Sequence, residues 1–117
     1  MRYANGGHPP ALLIDGSQQA TDLDAQGLPV GFFSKVTYVA TDVRIPPASR
    51  IYVFSDGCYE TQMCDGEVRT REEMVQYLCS LTSDRLLQLD ALYQHSMNAQ
   101  DGKHLDDDFS IVCATFQ

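Results

Sequence analysis

Basic side chains are scarce in this sequence: eight Lys and Arg stand against sixteen Asp and Glu, a formal charge of -8. That balance argues against a nucleic-acid partner, because affinity for a phosphate backbone rests on clustered cations. Long apolar runs are also absent, so no segment reaches the length needed to cross a bilayer, and the polar start MRYANGGHPP is no signal peptide. The expectation is a cytoplasmic protein without a membrane partner. Paired cysteine motifs are missing too. Cys58, Cys64, Cys79 and Cys113 contain no C-x-x-C and no zinc-finger spacing to a histidine. We read them as reduced thiols, with a Cys58–Cys64 bridge across a loop as the alternative, and Cys79 and Cys113 as small hydrophobes inside apolar patterns. No repeat, low-complexity tract or linker divides the chain, and 117 residues with 44% hydrophobic content supply one modest domain with a core.

The element pattern is mixed. RYAN, a Gly/Pro turn over 6–10 and ALLI read as a hairpin of two strands. DGSQQATDLDAQG reads as an exposed loop, and GLPVG continues it as an irregular connection. KVTYVATDVRI alternates with the period of a strand. RIYVFS is apolar on both faces, as is FSIVCATF, and both are expected as strands covered on two sides. Between them Thr70 and Glu73 form a T-x-x-E capping box ahead of Met74, Val75, Leu78 and Leu81 at helical spacing. A second helix from about Ser83 carries Leu86, Leu89, Tyr93 and Met97 on one stripe, expected to face the core. Together these predict an α+β arrangement of mostly antiparallel sheet with two helices against it.

One pattern calls for chemistry. Asp106, Asp107 and Asp108 stand directly against the last apolar strand, where loss of solvent raises their mutual repulsion. Asp56 lies just past the end of the central strand, followed by Gly57, which permits a tight turn and a close approach of backbone to an ion. If the two strands are antiparallel neighbours, these acidic groups meet at one sheet edge. Two readings follow: solvated turns, preferred on residue types alone, or oxygen ligands for a hard cation such as Mg2+ or Mn2+ that offsets the repulsion.

The order RYANGGHPPALLI, GLPVG, RIYVFSDGCYET, two helices and DDDFSIV resembles the SpoIIE-type branch of the metal-dependent PPM protein phosphatases, over Arg2 to Phe116. No single motif is decisive; four in this order are specific. The resemblance implies a partial PPM-phosphatase-like antiparallel β-sandwich with two flanking helices, residues 1–117 being the C-terminal portion of the domain. It also implies metal ligation by Asp56, which matches the aspartate of the family's D-G segment. Asp107 matches the first aspartate of the terminal D-D-I/M-T-like strand, another ligand. Gly57, Asp106 and Asp108 are then outer neighbours of the metal. In the family a two-metal centre of Mn2+ or Mg2+ activates water against phosphoserine or phosphothreonine, so no side chain of this chain is expected as a catalytic nucleophile. The implied partner is a phosphorylated protein, for instance an anti-sigma-factor antagonist, in bacterial signalling or behind a response-regulator receiver. The alternative is an inactive phosphatase-like module that docks a regulatory protein.

Departures from the family qualify that picture. The family's first strands, which carry a bridging aspartate and its glycine, lie upstream of the matched region, so this chain by itself is expected to be inactive. Exposed sheet edges would then favour a homodimer. Cys58 and Tyr59 replace small or branched residues after the D-G, and Ala48-Ser49 replaces the common Gly-Asp, a change expected to be tolerated. His8 has two readings, a phosphate contact or proton carrier, or a turn residue whose ring bonds nearby backbone, the preferred one. Glu60 matches a family glutamate or simply fixes its loop. His95 and His104 are given no role.

Overall fold

The computed structural model describes residues 1–63, 66–81, 85–100, 105 and 107–117, with the backbone alone for 85–87. Cys64, Ser83, His104, Asp106 and the Leu86 side chain therefore lie outside the described residues. The described residues form strands β1 (Arg2–Tyr3), β2 (Ala11–Ile14), β3 (Ala20–Leu23), β4 (Thr41–Asp42), β5 (Arg50–Phe54) and β6 (Ile111–Thr115), with helices α1 (Arg71–Ser80) and α2 (Arg85–Ala99). They make two antiparallel sheets, β1-β4 and β3-β2-β5-β6, and the class is α+β as expected. By contacts the chain divides into two compact units, Met1–Val53 with Ala114–Gln117, and Phe54–Cys113.

In the first unit the predicted β1–β2 hairpin does not form. β1 pairs with β4 through Arg2↔Asp42 and Tyr3↔Thr41, and β2 pairs with β3 from Ala11↔Leu23 to Ile14↔Ala20. Pro9 and Pro10 lack the N–H donors that a hairpin leaving Gly6 would need. The reversal falls instead within the segment expected to be a loop, where Asp15 Oδ1 accepts the N–H groups of Ser17 and Gln19 and Gln18 adopts φ 62°. β3 escaped the sequence pattern because only Leu23 is buried in it. The long strand expected over 35–45 shrinks to Thr41–Asp42, while Val43 and Ile45 pack against the cluster of Leu13, Leu23 and Ile51. The register Leu13↔Ile51 brings two members of that cluster opposite each other. β5 is central as predicted, with Ile51, Tyr52 and Phe54 buried and Val53 partly exposed.

Within the second unit, α1 begins as its sequence dictates. The Thr70 hydroxyl accepts the Glu73 N–H while the Glu73 carboxylate accepts the Thr70 N–H at 2.8 Å. Met74 and Leu78 form its buried stripe. The stripe on α2 is displaced from prediction by one residue, about 100° around the axis: Gln88, Leu92 and Ser96 are buried, and Tyr93 is exposed against the edge of Phe109. The helices are joined by polar links. Gln88 donates to the Leu81 carbonyl, Arg69 to the Ser96 hydroxyl, and the Tyr77 ring stacks on His95 at 4.2 Å. Polar Gln88 and Ser96 thus take the buried places that an apolar template gave to Leu89 and Met97.

β6 is a correction of a different kind. Its sequence is apolar on both faces, yet Val112 is 66% exposed and Ala114 and Phe116 are exposed with it. The strand is at the edge of the sheet, so apolar composition there does not bring two-sided burial.

Candidate metal-binding edge

Antiparallel placement of β5 and β6 decides which loops meet. The Ser55 N–H donates to the Ser110 carbonyl at 2.9 Å, and the Phe116 N–H donates to the Ser49 carbonyl at 2.9 Å. The residue after β5 therefore lies beside the residue before β6, as the sequence pattern required for its acidic groups to meet. Asp56 opens a single 3-10 turn, Asp56–Cys58, whose carbonyl at Asp56 accepts the N–H groups of Tyr59 and Glu60. Gly57 is buried in that turn, and a methyl group there would come within 2.5 Å of the Asp108 carbonyl oxygen. The absent side chain of Gly57 makes room for the backbone of Asp108, within the tight turn expected there.

Both candidate ligands are exposed, and each has one oxygen tied down locally. Asp56 Oδ1 accepts the Gly57 N–H at 3.1 Å, and Asp107 Oδ1 accepts the Asp108 N–H at 2.7 Å. Asp108 is also exposed, and its carbonyl accepts the Ser55 hydroxyl. Asp106 lies outside the described residues, and among those described no three His, Cys, Asp or Glu side chains gather in a metal-ligating group. Asp56 and Asp107 supply hard oxygen donors at adjoining backbone positions, a donor set suited to Mg2+ or Mn2+.

Ser55 was missed by the sequence reading. Its hydroxyl donates to the Asp108 carbonyl at 2.7 Å and accepts the Ser110 N–H at 3.0 Å. The only signal was its place, immediately before the D-G, since serine is ordinary in turns. Cys58 has no exposed surface, is free, and donates its thiol to the Ser110 carbonyl at 3.3 Å. Burial, foremost, pushes its pKa up, so it sits there as a neutral thiol. Tyr59, raised chiefly by burial and then by Glu60 and Asp56, packs edge-on against Phe54.

His8 belongs to the other unit. Asn5 accepts the His8 N–H and donates to the His8 carbonyl, and the His8 ring Nδ1 bonds the Pro9 carbonyl at 2.8 Å. It is the turn residue of the preferred reading. His8 also lines a cavity of ≈ 310 Å³ with Tyr3, Ala11, Leu23, Ile51 and Val53, and among the described residues no carboxylate borders that space.

Comparisons with known proteins bear on the fold. Protein IcfG of Synechocystis sp. is 22% identical over 112 residues, covering 96% of this chain and 18% of that protein. The solved phosphatase domain of the cell fate determinant SpoIIE from Bacillus subtilis superposes with a TM-score of 0.72 at 16% identity, covering 98% of this chain and 51% of that one. A Mn-presoaked structure of that domain gives 0.70 at 18% identity, covering 98% and 50%. The chain thus has the fold of a SpoIIE-type PPM domain and spans about half the length of the solved domains. The family model for Stage II sporulation protein E (SpoIIE) matches residues 1–117, and the chain belongs to that family.

Proposed function

We propose that this chain is the C-terminal portion of a metal-dependent phosphoserine/phosphothreonine protein phosphatase, with Asp56 and Asp107 as metal ligands. The observation that supports it most directly is the meeting of the Asp56–Gly57 turn with the Asp107–Asp108 backbone, brought about by the Ser55–Ser110 pairing. A bound Mn2+ or Mg2+ supplies acidified water and stabilises charge on phosphoryl oxygens. The chain's own residues hold two negative charges at fixed positions, each carboxylate oriented by the N–H of the residue that follows it. Asp106 and Asp108 stand as outer neighbours. Family membership and a Mn-presoaked relative support metal dependence, and a two-metal centre is proposed for the complete domain. The proposed setting is cytoplasmic bacterial signalling, with a phosphorylated anti-sigma-factor antagonist as substrate or a response regulator as parent.

Calorimetric titration of Mn2+ into the full-length protein tests this reading. Binding should be lost in Asp56→Asn and in Asp107→Asn. Retained binding in both would overturn the ligand assignment. The chain in isolation is expected to be inactive, and metal-dependent hydrolysis of a phosphoserine peptide by it would sink that expectation.

One observation favours the second reading, a module that docks a regulatory protein without turnover. The irregular 28–39 segment exposes Leu28, Val30, Phe32, Phe33 and Val39, with Phe32 79% exposed. Partner binding lost in a Phe32→Ser/Phe33→Ser variant of a full-length protein that shows no metal-dependent phosphatase activity would favour this reading, and phosphatase activity in the original protein would overturn it. Edge strands β3 and β6 are the proposed route to a homodimer, and a monomer at every concentration in analytical ultracentrifugation would count against it.

A further inference from the structure

We propose that Ser55 is a positioning residue for this metal edge: it fixes the Asp107 carboxylate relative to Asp56. The proposal rests on the metal-ligand reading above. Ser55 makes three bonds to one short stretch of the neighbouring strand. Its N–H donates to the Ser110 carbonyl at 2.9 Å, its hydroxyl accepts the Ser110 N–H at 3.0 Å, and the same hydroxyl donates to the Asp108 carbonyl at 2.7 Å. A hydroxyl has one proton to give. The alternative acceptor, the Ser110 carbonyl, lies at 3.5 Å, so the proton goes to Asp108.

The consequence reaches Asp107 through residue 108. The Asp108 carbonyl is pinned by Ser55, and the Asp108 N–H in turn holds Asp107 Oδ1 at 2.7 Å. Gly57 leaves the space into which that carbonyl packs. Asp56 is placed by direct covalent attachment to Ser55. One residue therefore sets both carboxylates, one through the chain and the other through two hydrogen bonds in series. Removing the hydroxyl leaves the Ser55 N–H bond to Ser110 in place, so strand pairing persists while the Asp107 turn loosens.

Metal affinity and global stability should separate on that basis. In the full-length protein, Ser55→Ala is expected to weaken Mn2+ binding by about tenfold or more, the range seen when groups that orient metal ligands are removed. Ser55→Thr, which keeps the hydroxyl, should bind within about threefold of the original protein. Affinity is read by calorimetry and by the electron paramagnetic resonance spectrum of bound Mn2+, beside a thermal melt. Should Ser55→Ala fail to fold, Ser55→Thr and Ser55→Val carry the comparison, since they match in shape and differ in the hydroxyl. Loss of binding in Asp56→Asn and Asp107→Asn with unchanged affinity in Ser55→Ala overturns the positioning role alone. Equal weakening in Thr and Val overturns it too. Unchanged binding in both aspartate variants overturns the metal reading and this proposal with it.

Discussion

Gly57 and Ala48 show opposite uses of a small side chain. Gly57 is required by contact, because any methyl there meets the Asp108 carbonyl. Gly57→Ala should cost about 1–3 kcal/mol, the range for overpacking a close-fitting site, and urea denaturation would read it. Ala48 adopts φ 59°, a left-handed conformation that glycine takes without penalty. The family's glycine at this place is explained by that angle, and alanine is accommodated with strain. Ala48→Gly should therefore stabilise the fold by about 0.5–1 kcal/mol, once the entropy lost by glycine is set against the relief of strain. A urea midpoint lowered by the substitution would show that the turn has no strain to release, since only the entropic cost of glycine would then remain. At this scale the meeting of the Asp56 turn with the Asp107–Asp108 backbone was legible, because carboxylates beside apolar strands stand out. Ser55 was not legible: its importance lies in which carbonyl its proton reaches, and only the pairing of β5 with β6 determines that.

Elements were legible where their signals are local. The Thr70/Glu73 box appears in the structure as it reads in the sequence, because all its partners lie within one turn. Thr70→Ala should cost about 1 kcal/mol of stability in a chemical melt, while Ser80→Ala, at the far end of α1, should cost less. The stripe of α2 was misplaced because Gln88 and Ser96 are buried by bonds to Leu81 and Arg69, which a hydrophobic count cannot register. β4 is a two-residue strand whose partner β1 is distant in sequence, and β3 pairs with its neighbour β2 but buries only Leu23, so neither carries a strong local pattern. Where α1 and α2 meet, His95 has its pKa lowered, first by burial of its stacked ring and then by the Arg69 charge. Its neutral form is the one the fold prefers. The stabilisation is therefore present above the unfolded value near 6.5 and declines as pH falls below it. Thermal melts from pH 7.5 to 5 should show this decline, and it should be shallower in His95→Gln. An equal slope in that variant would assign the decline to other groups.

For the whole molecule, the chain order of motifs carried more information than any one of them. Fold class and family follow from four motifs in sequence, whereas the partition into two compact units follows from contacts that no motif announces. The site's supporting bonds converge on one short backbone stretch, 108–110, and one of them comes from the fully buried thiol of Cys58. That thiol meets an alkylating reagent only when the turn carrying Asp56 opens. With Cys58 as the sole cysteine, its labelling rate becomes a clock for that opening. Labelling faster than global unfolding would mean that this edge of the sheet breathes on its own, with an opening free energy below that of the fold.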